Sequence, residues 1–584
     1  MPAAVPGAKP VKAEHKGEAV DRDVLLFLPP SGGERDADPC SSKDSDSRTN
    51  QDQRFSISGN AERPVRELSK MKSRLFYLLT ATLCLALAGH AQSTSSCVDL
   101  KSLHFDGVEI MKVDLVPAGA MIPVSYAGTV GPLPVHCRVD GIIHRRRGVD
   151  GEEFGVGFAL TLPSQNLWNS DFMMQGGGGS NGFVSYPLGS SYAGDKPALM
   201  RGFAVASTDT GHKAKTGAFD FGFMRDQQAY LDFAYMANAE VAQISKQIIA
   251  RYYAKPAAYS YFVGCSTGGR EGMILSQRYP TVFNGIISGD PAMRTGLSNL
   301  AIGKWIPVAY NQASPRGSSG KPQIEKFLSD DERSLFMDAL LKRCDARDGV
   351  ADGMIFDPLG CDFDPSTLAC KADQKAGCIA SEKLAAIKKA FAGPKNAYGT
   401  QVYPGFLYDA GIAMRGPVPG LLTLGANGIF GPYPTATEID VDKEALHASD
   451  PLVEPASTKL STFSGNGGKL IFFHGDSDPW FSPLDTLDYY KSLAAANGGS
   501  EKVAEWSRFF LVPGMAHCGG GPSLDHFDML SAVVNWVEKG VAPDAVIATG
   551  KAFPGRSRPL CAYPKHAQNT GSGASEDARN FRCQ

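Results

Sequence analysis

This 584-residue chain has no concentrated run of Lys and Arg, and its formal net charge is −3. Both facts argue against nucleic acid as a partner, because phosphate binding needs clustered basic side chains. It has no Cys-x-x-Cys pair, the spacing that structural zinc sites favour. It also lacks an apolar run long enough to span a bilayer. The longest candidate, Leu75 to Ala88, has about 14 residues where ~20 are needed. Within the stretch 416–507 there is no Arg, which removes the usual bidentate partner of a carboxylate from that whole segment. Hydrophobic residues make up 43% and charged residues 20% of the chain, the composition of a packed globular protein.

The N-terminal part has a different character. Residues 1–70 are rich in Asp, Ser, Gly and Pro, with one brief apolar patch at Val24–Leu28, and are expected to be a disordered or mis-called extension. Residues 71–91 then supply a basic start (Met71-Lys72-Ser73-Arg74), a short apolar stretch and the small-residue exit Gly89-His90-Ala91, the pattern of a secretory signal peptide. Cys84 lies in the middle of that stretch rather than at its end, which disfavours a lipoprotein. A secreted or periplasmic location with no membrane anchor in the mature form is expected. Removing residues 1–91 takes Cys40 and Cys84 from the twelve cysteines and leaves ten, an even set that reads as disulfides in an exported chain.

Beyond residue 150 short apolar runs alternate with helical stretches, as in an α/β protein. The runs include 203–206, 259–263 and 285–288, with a helical stretch near 227–253. Between about 291 and 460 the rhythm breaks into a segment rich in Gly, Pro, Asp and Cys. It resumes with runs at 469–473 and 508–512 and a helix near 527–539. The expected organisation is a core of residues 92–290 and 461–584, with residues 291–460 inserted as a lid.

The chemistry centres on Gly264-Cys265-Ser266-Thr267-Gly268. A G-x-S-x-G placed between a strand and a helix forms a tight turn that exposes the Ser hydroxyl above the sheet. Serine is a poor nucleophile until a base takes its proton, and the α/β-hydrolase order is Ser, then acid, then His. A run at 470–473 leads into His474-Gly475-Asp476-Ser477-Asp478, and a run at 509–512 leads into Pro513-Gly514-Met515-Ala516-His517. Asp478 is the favoured acid and His517 the base, with Asp476 read as capping its loop. One oxyanion-hole amide is expected from Thr267 and the other from the glycine run 176–182. Cys265 and Cys518 adjoin Ser266 and His517, so contact between nucleophile and base would place the two cysteines to bond.

In the inserted segment, Asp345, Asp348 and Asp352 lie among tight-turning glycines. That oxygen-rich spacing suits a hard cation, calcium before magnesium, although no EF-hand Glu follows.

Cys265-Ser266 with Gly268-Gly269-Arg270, Asp478 and His517-Cys518 together resemble the tannase and feruloyl esterase family, over about residues 97–583. The resemblance implies an α/β-hydrolase core with a large lid and a structural calcium. Carbonyls of Val350 and Met354 would join Asp345, Asp348 and Asp352 as ligands. It places the second oxyanion donor on Gly179. It also implies the disulfides Cys97–Cys137, Cys265–Cys518, Cys344–Cys361, Cys370–Cys378 and Cys561–Cys583.

The expected activity is hydrolysis of small aromatic esters such as ferulates or gallates through an acyl-enzyme. The alternatives are mono(2-hydroxyethyl) terephthalate hydrolysis, a lipase with a long acyl tunnel, and a catalytically silent hydrolase-fold binding protein. Phe406, Tyr408, Phe430 and Tyr433 are candidate walls for an aromatic acyl group, with Trp480 and Phe481 candidates to flank its ring.

Overall fold

The computed structural model describes residues 95–124 and 128–584; the expected extension and signal peptide lie outside them. The centre is a nine-stranded sheet. Its strands are β1 (Val108–Val116), β2 (His136–Arg147), β3 (Glu153–Pro163), β4 (Asp171–Gln175), β5 (Ala204–Thr208), β6 (Tyr259–Cys265), β7 (Gly285–Gly289), β8 (Lys469–Gly475) and β9 (Ser507–Val512). Their spatial order is β1-β2-β3-β5-β4-β6-β7-β8-β9. The pairs from β1 to β5 are antiparallel and all later pairs are parallel. This is the α/β-hydrolase arrangement, with β1 as an added edge strand.

The parallel strands are unbroken apolar runs because both of their faces are covered. Successive residues divide between the faces, as period-2 geometry requires. Phe172, Phe262, Leu470 and Phe472 enter one cluster with Ile248 and Leu493. Met173, Tyr261, Val263, Ile471 and Phe473 enter the other with Val533 and Trp536. Helices α1 (Ala237–Tyr253), α2 (Thr267–Arg278), α3 (Asp330–Cys344), α4 (Ser381–Phe391), α5 (Pro483–Ala496) and α6 (Met529–Lys539) complete the frame. α1, α2 and α5 pack on the first face and α6 on the second. Phe472 is fully buried, and cutting it to Ala is expected to cost about 3–5 kcal/mol.

The segment between β7 and β8 adds no strand to this sheet. It has an apolar cluster of its own, in which Phe336 and Leu340 of α3 meet Leu384 and Ile387 of α4. A capping box starts α3: Ser329 Oγ accepts from the Glu332 amide while Glu332 accepts from the Ser329 amide. That pair satisfies two backbone donors that a helix start otherwise leaves open.

Candidate active site

The residues singled out from the sequence sit on loops leaving the carboxyl ends of the parallel strands, where ligands of open α/β sheets bind. Ser266 follows β6 with φ 62° and ψ −124°, a strained conformation for a residue with a side chain. Close packing enforces it. A Cβ on Gly264 would lie 2.5 Å from the Gly268 carbonyl carbon, and one on Gly269 would lie 2.2 Å from the Gly289 oxygen. The Ser266 amide donates to Gly289 O at 3.0 Å, tying the turn to the end of β7.

His517 Nδ1 lies 2.7 Å from Asp478 Oδ2. The other Asp478 oxygen accepts from the amides of Trp480 at 2.8 Å and Phe481 at 3.1 Å. Burial opposes the charge on Asp478, but His517 and His474 outweigh it and hold this carboxyl well below the usual range. His517 Nε2 is buried without a protein partner, and both His517 and Ser266 line one cavity of about 750 Å³. A disulfide joins Cys265 to Cys518, their neighbours in sequence, S–S 2.05 Å. The other four expected pairs are also bonded: Cys97–Cys137, Cys344–Cys361, Cys370–Cys378 and Cys561–Cys583.

Thr267 and Gly179 both border the cavity, as does the run Gly176–Gly178. The Thr267 hydroxyl donates to the Gly179 carbonyl, which locks the glycine loop against the start of α2. Gly179 has φ +60°, and a Cβ there would fall 2.1 Å from the Ala218 oxygen.

Among the expected substrate residues, Phe430, Trp480 and Phe481 line the cavity. Trp480 and Phe481 approach the His517 ring, with centroids 4.7 Å and 5.3 Å away. Phe406 and Tyr408 do not reach it. They pack into the inserted segment's own core, where Tyr408 stacks on Phe391. Tyr433 lines a neighbouring pocket of about 530 Å³. The sequence reading missed Phe183, Phe219, Phe221 and Phe233, which complete the aromatic wall. Phe219 meets Phe430 edge to face at 5.5 Å.

Asp476 does not cap its loop. Both of its carboxyl oxygens are buried without a partner, and burial, with Asp409 and Asp290 nearby, pushes its pKa well up. Asp409, unremarked in the sequence, comes from the inserted segment. Its Oδ2 accepts from Ser477 Oγ at 2.5 Å and the Gly514 amide at 2.8 Å. It thereby links the loops that carry Asp478 and His517.

The acidic loop after α3 is compact. Asp345 accepts from the amides of Asp352 at 3.1 Å and Gly353 at 2.8 Å, and Asp352 pairs with Arg558. Turned this way, the three carboxylates are not among the groupings of described residues whose donor atoms lie mutually within 4.8 Å. Yet Asp348 Oδ2 and Asp352 Oδ1 are buried with no partner. Burial, aided by the charges of Asp352 and Asp345, raises the Asp348 carboxyl to about 7. Orphaned buried carboxylate oxygens are a donor set that a hard cation would satisfy, so these residues fit one. Val350 is half-buried and Met354 buried in the same loop.

The family model for tannase and feruloyl esterase matches residues 137–438 and 432–584. The chain belongs to that family. It is a carboxylic ester hydrolase. It is 36% identical over 562 residues to mono(2-hydroxyethyl) terephthalate hydrolase of Piscinibacter sakaiensis, an alignment covering 84% of this chain and 92% of the relative. Feruloyl esterase B from Aspergillus oryzae superposes with a TM-score of 0.67 at 26% identity, covering 84% of this chain and 100% of that one. Tannin acyl hydrolase from Aspergillus niger, at 21% identity and a TM-score of 0.61 over 84% of this chain and 94% of that one, shares the fold.

Proposed function

We propose that this family member is a secreted serine esterase that cleaves small esters of aromatic acids through an acyl-enzyme. The observation carrying the substrate class is the cavity wall. Phe183, Phe219, Phe221, Phe430 and Trp480 surround the space that Ser266 and His517 border, and stacked or edge-on aromatic contacts favour a planar aryl group. Ser266 Oγ attacks the ester carbonyl while His517 Nε2 takes its proton. Asp478 fixes the ring and stabilises the imidazolium. The Thr267 and Gly179 amides receive the oxyanion. The proton passes to the leaving alcohol, and water activated by the same histidine then hydrolyses the acyl-enzyme and frees the acid.

The five disulfides support an oxidising, extracytoplasmic location, in keeping with the apolar run near Met71. Among the described residues no helix is long and apolar enough to cross a membrane. Calcium is the proposed occupant of the loop of Asp345, Asp348 and Asp352, with the Val350 and Met354 carbonyls. Its role there is structural, and no step of the reaction passes through it.

The relative from Piscinibacter sakaiensis supports a second reading, mono(2-hydroxyethyl) terephthalate. Against it stands the wall itself. Arg270, the one arginine among the described residues that lines the cavity, is buried, and its guanidinium is committed to the carbonyls of Ala234 and Phe233. Arg415 is ion-paired with Asp330 and lines the adjoining pocket, which shares Phe430 and Trp480 with the cavity. A free terephthalate carboxylate would have to reach it there. The test is hydrolysis of methyl ferulate, methyl gallate, mono(2-hydroxyethyl) terephthalate and a long-chain lipid ester by the mature protein, beside Ser266→Ala. Turnover of an aromatic ester that disappears in the variant supports the reading. Preference for the long-chain ester, or activity surviving in Ser266→Ala, overturns it.

A further inference from the structure

Asp290 immediately follows β7, the strand beside the one that bears Ser266, and the sequence reading gave it no role. It holds a positive φ of 35° and is fully buried. Its amide donates to Phe473 O at 2.9 Å. Its two carboxyl oxygens are divided between the end of β8, which leads into the loop of Asp478, and the loop that carries His517. Oδ1 accepts from the Gly475 amide at 2.7 Å, and Oδ2 accepts from the Cys518 amide, next to His517, at 2.6 Å. One donor atom each of Asp290, Asp478 and His517 lie within 4.8 Å of one another. His474 Nε2 stands 3.3 Å from Asp478 and 3.8 Å from Asp290.

We propose that Asp290 is a second orienting carboxylate of the same base, fixing the His517 loop through the Cys518 amide and sharing with Asp478 the stabilisation of the imidazolium that forms when Ser266 loses its proton. The proposal rests on the serine esterase reading above. Asp290 touches no reacting atom and acts through His517, so it is a positioning residue. Burial raises its pKa to about 6 against the pull of His474. The groups facing it are His474 from β8, Asp476 and Asp478 from the loop after it, His517 from the loop after β9, and Tyr192 from the segment between β4 and β5. With atoms of Asp290, Asp478 and His517 mutually within 4.8 Å, a proton on His517 lies beside the carboxyl of Asp290 as well as that of Asp478.

A merely structural tie predicts something different. Asn at 290 offers one acceptor where two amides need two, so Asp290→Asn lowers stability under either view. Only the electrostatic role moves the chemistry. The experiment measures kcat, KM and the pH profile of kcat/KM on methyl ferulate for the wild type, Asp290→Asn, Asp478→Ala, the double variant and Ser266→Ala, with near-UV circular dichroism as the folding check. Asp290→Asn is expected to lower kcat about tenfold at unchanged KM and to move the acid limb of the profile to lower pH, since an imidazolium loses a neighbouring anion. Asp478→Ala is expected to keep activity at least about tenfold above Ser266→Ala, a residue that Asp290→Asn then removes. An unmoved acid limb in folded Asp290→Asn overturns the proposal. So does a folded Asp478→Ala as inactive as Ser266→Ala, a comparison that decides the matter even where Asp290→Asn does not fold. Activity surviving in Ser266→Ala would instead sink the serine esterase reading.

Discussion

Ser266 has its hydroxyl at the cavity and its backbone pinned by Gly289, so Ser266→Ala removes chemistry without removing packing. A loss of kcat of at least about 10³-fold is expected, with the melting temperature nearly unchanged. The aromatic wall makes a separate prediction. Phe430 is 55% exposed in free protein, so Phe430→Ala is expected to cost little stability. It should raise KM for methyl ferulate by about 10-fold while leaving p-nitrophenyl acetate nearly unaffected, because one lost aryl contact is worth about 1–1.5 kcal/mol. Steady-state kinetics on the two esters check this.

Asp478 also makes a pH prediction. Its folded-state carboxyl is held below the ordinary value of 3.8 by His517 and His474, against burial. The stability it contributes is therefore present above about pH 4 and is lost as pH falls through its depressed value. Thermal melts between about pH 5 and 3 should show a smaller acid-side loss for Asp478→Asn than for wild type. At this scale the sequence was explicit for Ser266, Asp478 and His517, because each is marked by glycines or by an apolar run beside it. Asp290 and Asp409 carry no such mark. They act through backbone amides more than 100 positions away, a relation no local pattern encodes.

At the scale of elements, the Cys265–Cys518 bridge closes a loop of 253 residues, which the chain-entropy account values at about 5 kcal/mol as an upper figure. Paired replacement Cys265→Ser/Cys518→Ser is expected to lower the melting temperature and also kcat, since the bridge joins the two loops that must meet. Calorimetry with kinetics on the same preparation separates the two effects. The apolar runs of β4 to β9 were legible because parallel strands covered on both faces need unbroken hydrophobicity. β1 and β2 escaped the sequence reading. Lys112, Asp114, Arg138 and Asp140 interrupt them, since this antiparallel edge of the sheet tolerates charged side chains facing water.

Over the whole molecule, the acidic loop after α3 is tied to the C-terminal part of the chain by Arg556 and Arg558 on Asp352. A bound calcium would therefore stabilise the junction between the inserted segment and the core. Chelation is expected to lower the melting temperature, and calcium should restore it where magnesium does not. At free calcium about a hundredfold above Kd, the stabilisation is about 2.7 kcal/mol. An unchanged melting temperature in chelator would remove calcium from the account.

The sequence by itself determined the hydrolase class, the strand–turn–helix around Ser266, the placing of Asp478 and His517 beyond strand ends, and an even set of cysteines. These are carried by short-range patterns: glycines where backbones touch, apolar runs where both faces are covered, and cysteines beside the residues they brace. Only the tertiary structure decided which aromatic side chains face the cavity, sending Phe406 and Tyr408 into a separate core and bringing Phe183, Phe219 and Phe221 to the wall. It alone set Asp290 between the end of β8 and the loop that carries His517. The physical reason is common to both: a side chain's hydrophobicity says that it will be buried, but which surface buries it depends on segments that meet only when the sheet closes and the insertion folds over it.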